Sequence, residues 1–244
     1  MDLSNRAIAR SAQHALLNEA LRRMRAAGRA GVVAFDLDST VFDNRPRQAR
    51  ILREFGAARE ILALTAARPE HWTSWSIAEA MSACGLGDAE VDRHLDDARS
   101  WWRTRFFSSA YCTDDVAIAG AGEFLAAVAD SGARIAYVTG RHEAMGPGSI
   151  AAMLECGFPA PDGDAVHLLL KPRWEDSDDG WKETAAGRLV DVGTVIAAFD
   201  NEPAHINVYA RRFPDALAIH LATDHSGRPI AVSPGIPSIA DFQR

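Results

Sequence analysis

Cysteine is scarce in this chain: Cys84, Cys112 and Cys156 are its only three, and they show none of the short spacings that build a zinc site or a redox pair. They read as small buried apolar side chains in a reducing compartment. No uninterrupted apolar run approaches the roughly 18 residues that a membrane-spanning helix requires, so a membrane-embedded class is set aside. The N-terminal stretch has no signal-peptide apolar region, because Glu19, Arg22, Arg23 and Arg25 interrupt its leucines. The expected location is the cytoplasm. Positive charge is also in deficit, with 26 Lys and Arg against 33 Asp and Glu and a net formal charge of −7. That balance opposes binding to nucleic acid or anionic lipid as a whole-surface property, leaving only a local basic site. Internal repeats and low-complexity tracts are absent.

What is present is ordinary globular material: 244 residues, 48% apolar and 24% charged, enough for one α/β core with an insertion. Leu3, Ala7, Ile8, Ala12, Ala15, Leu16 and Leu21 fall near a 3.6-residue period and predict an amphipathic helix within 1–28. Val32 to Leu37 is a short continuous apolar run, as expected of a strand buried on both faces. A βα rhythm follows, with strands at 134–138, 166–170, 194–199 and 216–221 and helices at 119–131, 147–156, 178–190 and 203–212. Five strands separated by helices imply a doubly wound parallel sheet. Residues 45–114 break the rhythm, with helical periodicity and no convincing strand. This segment is expected to be an all-helical cap, leaving 1–44 and 115–244 as the core. It holds Trp72, Trp75, Trp101 and Trp102, and a small aromatic cap core accounts for them better than stacking on a substrate ring. Ser233 to Pro237 reads as an irregular tail.

Ligands of open α/β sheets bind outside the carboxyl ends of the strands, and here those ends are polar. The first delivers Asp36 and Asp38, the second Thr139, Gly140 and Arg141, the third Lys171, and the fourth Asp200, Asn201 and Glu202. Carboxylates at i and i+2 of an extended segment point to one side, the spacing that lets a nucleophile and an acid/base face one substrate. A divalent cation can hold such a carboxylate beside a phosphoryl group. Asp36, the Asp38 carbonyl and Asp200 would give Mg²⁺ the partial oxygen shell it prefers, with Asn201 or Glu202 completing it. Thr139 and the Gly140 amide can donate to phosphoryl oxygens, and a lysine can supply full positive charge.

Taken in order, FDLDSTVFDN at 35–44, YVTGR at 137–141, a following lysine and AFDNEP at 198–203 resemble the motifs of the haloacid dehalogenase superfamily of phosphohydrolases. The resemblance covers residues 31–222. It implies a doubly wound core with a helical cap inserted after the first strand, Mg²⁺ dependence, and Asp36 as the phosphorylated residue. It also implies Asp38 as general acid/base, since superfamily phosphatases carry that second acid and its dehalogenases do not. Two lysines qualify for the phosphoryl site. Lys171 ends a strand, while Lys182, preceded by Asp178 and Asp179, looks like the acid-phosphatase and polynucleotide-phosphatase arrangement. Lys182 is the favoured choice, with Lys171 as a substrate or phosphate contact.

Plainer roles stand beside these. A lone DxD is more often a turn or cap feature, and the ordered set is what raises it to chemistry. Thr139 could cap the following helix, and Arg141 could be a surface residue at that helix start. Arg45 and Arg47 could grip a second anionic group, although a solvated basic helix face explains them as well. The expectation is therefore a cytoplasmic Mg²⁺-dependent phosphatase acting on a small phosphomonoester. A nucleotide or nucleic-acid-end phosphatase is the alternative suggested by the Lys182 context, and the acidic net charge counts against it. A catalytically silent phospholigand-binding protein is the alternative of another class, opposed by the two acids facing the phosphate. Nothing in the composition sets an oligomeric state.

Overall fold

The computed structural model describes residues 6–244; Leu3 of the N-terminal helical pattern lies outside them. Helix α1 (Arg10–Ala27) leads into β1 (Gly31–Phe35) and β2 (Phe42–Asp43). Helices α2 (Arg45–Ala58), α3 (Ile77–Ala83) and α4 (Asp88–Phe106) follow, then β3 (Val116–Ala117) and α5 (Ala121–Asp130). The remainder alternates: β4 (Arg134–His142), α6 (Gly146–Glu155), β5 (Val166–Lys171), α7 (Asp178–Val192), β6 (Thr194–Asp200), α8 (Pro203–Arg212), β7 (Leu217–Leu221) and β8 (Ser238–Ile239). Among the described residues, no helix is long and apolar enough to cross a membrane. The described residues divide into two compact units, one of 6–42, 117–143 and 153–244, the other of 43–116 and 144–152.

The first unit contains a six-stranded parallel sheet in the order β5-β4-β1-β6-β7-β8. All five residues of β1 are buried, which is why its sequence is a continuous apolar run and not an alternation. Alternate side chains serve opposite faces. Val32 and Ala34 pack with Trp181, Ala185 and Leu189 of α7 and with Ile206 and Tyr209 of α8. Phe35 stacks on Phe199 of β6 at 4.8 Å between ring centroids, and both rings contact Phe124 of α5 and Phe242. Buried Leu17, Ala20, Leu21 and Met24 fall on one stripe of α1, together with Gln13, a polar residue the apolar pattern could not place.

The sheet has six strands where the sequence indicated five. The extra one, β8, is only two residues long and follows the proline- and glycine-rich stretch read as an irregular tail. Two backbone bonds extend the ladder around it, His220 N to Pro237 O and Ala222 N to Ile239 O. The turn at Gly120 shows how closely the chain end is held: its φ is +76°, and a Cβ there would lie 2.6 Å from the backbone of Phe242 and Gln243, so only glycine fits.

The second unit is helical. Leu52, Phe55, Leu64, Trp72, Ile77, Met81 and Val91 form its buried core. A second aromatic set joins Trp75, Trp102 and Phe106, with Trp102 stacked on Phe106 at 4.4 Å. The four tryptophans of this unit are thus engaged in its own packing.

Candidate functional site

Chain direction places the site before any side chain is considered. From β1 the chain turns to β4 and β5 on one side of the sheet, whereas from β6 it continues to β7 and β8 on the other. Consecutive connections therefore diverge between β1 and β6, the switch point at which open α/β sheets bind ligands. Asp36 directly follows β1, Asp200 ends β6, and Asp36 N donates to Phe199 O at 2.9 Å. The two acids flank that point because the sheet register puts them there.

Lys182, on the first turns of α7, joins them. Its ammonium lies 2.5 Å from Asp36 Oδ1, 2.8 Å from Asp200 Oδ2 and 2.8 Å from the Val138 carbonyl. All three side chains are almost wholly out of water. Burial is the largest influence on Asp36 and works against its charged form; Lys182 opposes that, Asp200 and Asp38 add to it, and the carboxyl is pushed up to about 7. Burial also works against the Lys182 ammonium, but Asp200 and Asp36 outweigh it and hold its pKa above the ordinary lysine value. The two shifts agree once the ratio is noted: one ammonium has two anions, while the two anions share one cation.

Asp38 has a different partner. Its carboxylate takes a forked pair of bonds from Arg141, at 3.0 Å from Nε and 2.7 Å from Nη2, and the Arg141 side chain is buried. Arg141 is therefore not a surface residue at a helix start. Strand β4 runs on to His142, so Thr139 lies inside the strand and caps no helix. Its hydroxyl accepts from Arg141 N at 3.1 Å and its carbonyl from Trp181 Nε1 at 2.8 Å. Gly140 passes so close to Asp178 that a Cβ would sit 3.2 Å from Oδ1.

Thr40 closes the base of the cluster: its hydroxyl donates to Asn201 Oδ1 at 3.0 Å, accepts from Asn201 N at 3.1 Å, and lies 3.3 Å from Asp36 Oδ2. Glu202 is held elsewhere. Ser226 N and Oγ donate to its two oxygens at 3.0 and 2.9 Å, and Arg228 Nη2 lies 3.2 Å from Oε1. Arg228 also makes a forked pair with Asp179, at 2.6 and 3.0 Å, whose carboxylate faces His205 Nε2 at 2.8 Å. Arg228 holds the Asp179 carboxyl down at about 2.

Three expected contacts have other engagements. Lys171 pairs with Asp178 at 2.7 Å and is not part of the Asp36–Asp200 cluster. Arg47 is fully buried on Asp115, at 3.0 Å, with its guanidinium 3.8 Å over the Phe106 ring. A solvated face and a substrate grip are both replaced there by an internal ion pair, since a guanidinium without exposure packs where its charge is met. Arg45 pairs with Asp43 at 2.6 Å. Conversely, Thr40, Asp179, His205, Ser226 and Arg228 border the cluster without having been singled out as site residues. Asp179 and His205 carry a sequence signal in retrospect, each lying in the first turn of a helix whose N-terminus follows or faces a strand end; Ser226 and Arg228 lie outside any regular element and carry none.

Among the described residues, no group of three or more His, Cys, Asp or Glu side chains forms a metal cage. Mg²⁺ does not need one, because it binds through one or two carboxylates and retains waters. Asp36 and Asp200 are two such hard donors. The Glu202 carboxylate is held by Ser226 and Arg228, so the residues that could hold Mg²⁺ are Asp36 and Asp200, with the Asp38 carbonyl and the Asn201 amide oxygen as the further candidates.

The sequence matches no protein-family model and no curated protein. The fold does have solved counterparts. Protein tyrosine kinase A of Mycobacterium tuberculosis superposes with a TM-score of 0.51 at 16% identity, over 86% of this chain and 93% of that one. CbbY from Rhodobacter sphaeroides, solved in complex with phosphate, gives 0.50 at 17% identity, over 86% and 94%. A haloacid dehalogenase-like hydrolase structure from Bacteroides fragilis gives 0.49 at 14% identity, over 86% and 96%. At these identities the likeness is one of fold. With its parallel sheet and the helical segment that follows β1, the chain shares the fold of protein tyrosine kinase A and CbbY.

Proposed function

We propose that the protein is a Mg²⁺-dependent phosphohydrolase that cleaves a small phosphomonoester through an aspartyl-phosphate on Asp36. The observation that carries this reading is the pairing of two differently held acids at the switch point, Asp36 on Lys182 and Asp38 on Arg141. Two carboxylates with separate partners are suited to separate tasks.

In this reading an Asp36 oxygen attacks phosphorus as the bond from phosphorus to the leaving oxygen breaks, and Asp38 gives that oxygen its proton. Asp38 then takes a proton from water, whose oxygen attacks the same phosphorus and releases phosphate and the Asp36 carboxylate. Arg141 fixes the direction of Asp38 throughout, since a forked guanidinium pair constrains both oxygens. Lys182 supplies positive charge beside the phosphoryl group. The Thr139 hydroxyl, which accepts from Arg141 N, retains its proton for a phosphoryl oxygen, with the Gly140 amide next to it. Mg²⁺, held by Asp36 and Asp200, would neutralise the repulsion between the carboxylate and the phosphoryl oxygens. The phosphate in the CbbY structure, on a similar fold, is consistent with this ligand class.

Incubation of the purified protein with Mg²⁺ and a broad panel of phosphomonoesters tests the reading: inorganic phosphate should be released from at least one, and Asp36→Asn should abolish release. Silence across the panel from a protein that still binds phosphate would instead indicate a phospholigand-binding protein.

A further inference from the structure

Between β7 and β8 the chain passes through Thr223-Asp224-His225-Ser226-Gly227-Arg228, a segment with no apolar side chain and no residue in the buried core. Its polar groups nevertheless reach three separate parts of the site. The Thr223 hydroxyl donates to the carbonyl of Ser39, and the Asp224 carbonyl accepts from Asn201 Nδ2 at 2.6 Å. Ser226 binds both oxygens of Glu202, and Arg228 spans Glu202 and Asp179.

Ser39 is the informative contact. It stands between Asp38 and Thr40 with φ at +57°, a left-handed conformation that a side-chain-bearing residue adopts only at a steric cost. Such a residue persists where its surroundings over-determine it. The turn at Ser39 also determines where the chain sends Asp38 on one side and the Thr40 hydroxyl on the other. A hydroxyl that fixes the Ser39 carbonyl therefore fixes the orientation of the acid/base and of the Asn201 partner together. On the opposite side, Asn201 and Glu202 are tied to the same six residues.

We propose that Thr223–Arg228 is a strap that holds the Asp36–Thr40 loop in register with the Asp200–Glu202 loop. Thr223 and Arg228 are its positioning residues: Thr223 acts through Ser39, and Arg228 acts through Asp179 and Glu202. Glu202 thereby serves the strap and not the cation. The kinetic consequence rests on the phosphohydrolase reading, whereas the structural one does not.

Thr223→Val removes the hydroxyl at nearly constant volume, and Thr223→Ser restores it. Each is compared with wild type by steady-state kinetics in Mg²⁺ and by hydrogen exchange of the peptides covering 36–43 and 199–207. Thr223→Val should lower kcat on the order of ten- to a hundred-fold, as displacement of reacting groups does, with KM changed by less than about threefold. Exchange should accelerate in those two peptides and not in β4 or α7, and Thr223→Ser should recover both measures. Arg228→Met should accelerate exchange in 199–207 and in the first turn of α7, with Arg228→Lys intermediate. Wild-type kcat and unchanged exchange in Thr223→Val would overturn the strap, as would acceleration spread evenly across the sheet that Thr223→Ser fails to correct. Should wild type itself release no phosphate, the phosphohydrolase reading fails and exchange alone decides: local acceleration supports the strap, and its absence overturns it.

Discussion

The Lys182 ammonium lies 2.5 Å from an Asp36 oxygen, with both side chains nearly excluded from water. Its second anion, Asp200, is fully buried at 2.8 Å. Removing the cation leaves two buried carboxylates uncompensated, a change that typically costs about 3–5 kcal/mol. Lys182→Met should accordingly lower unfolding stability by that order in denaturant titrations and abolish phosphate release. Lys171→Met breaks a pair whose acid, Asp178, is well exposed, and should cost no more than about 1 kcal/mol. Its activity should fall less than that of Lys182→Met; the reverse ranking would transfer the phosphoryl role to Lys171.

Asp36 links the site to pH. Its folded-state carboxyl is raised to about 7 from an ordinary value of 3.8, so between those values the folded chain binds more protons than the unfolded one. Stability from this group is then complete below about pH 4 and is lost as pH rises through 7. In metal-free protein, Asp36→Asn should flatten that slope. The variant should match wild type near pH 4 and exceed it at pH 8 by on the order of 1–3 kcal/mol. Thermal unfolding in chelator at the two pH values measures this. An Asp36→Asn advantage that is the same at both would mean the carboxyl titrates normally.

Arg47 and Arg45 sit two residues apart and should behave oppositely. Arg47 and Asp115 form an ion pair with neither side chain exposed, and Arg47→Met strands the carboxylate. The expected loss is about 3–5 kcal/mol, and combining Arg47→Met with Asp115→Leu should recover most of it. Arg45 is half exposed in its pair with Asp43, and Arg45→Ala should stay within about 0.5 kcal/mol. Unfolding midpoints of the three proteins test the contrast. If Arg47→Met were stable but raised KM for an anionic substrate, the guanidinium would be acting on ligand.

These contrasts mark where sequence patterns carry information. Apolar runs ending in acid disclosed the parallel sheet and put Asp36 and Asp200 at its edge, because a strand buried on both faces can be read from composition alone. The place of Lys182 beside Asp36 and Asp200 was legible only through the resemblance of its setting to a known lysine motif, which left Lys171 as the other candidate. Pairings between distant segments were not: that Arg141 takes Asp38, that Arg47 turns inward to Asp115, or that Ser226 and Arg228 occupy Glu202 depends on three-dimensional approach, to which no local periodicity corresponds. Gln13 illustrates the same gap in the core. It occupies a buried position on α1 because Asp241 and the Ala240 and Gln243 backbone meet its amide, partners found more than two hundred residues away.

Phe242 extends that point to the stability of the whole sheet. Ser233 to Pro237 is irregular as expected, but the residues after it join the core: Phe242 is 1% exposed, packs at 5.3 Å from Phe124 and 5.5 Å from Phe199, and is pinned by its own amide to Ala119 O at 2.9 Å. Phe199 immediately precedes Asp200, so the ring supports the strand that carries the acid. Phe242→Ala should cost about 3–5 kcal/mol through lost burial and the cavity left behind, while Phe242→Leu should cost less than half as much. At a temperature where Phe242→Ala remains folded, Mg²⁺-dependent phosphate release should persist with a modest fall in kcat, because the ring acts on the support of Asp200 and touches no reacting atom. A Phe242→Ala protein as stable as wild type in urea would show that the C-terminal segment contributes nothing to the core, and the sixth strand would then be dispensable.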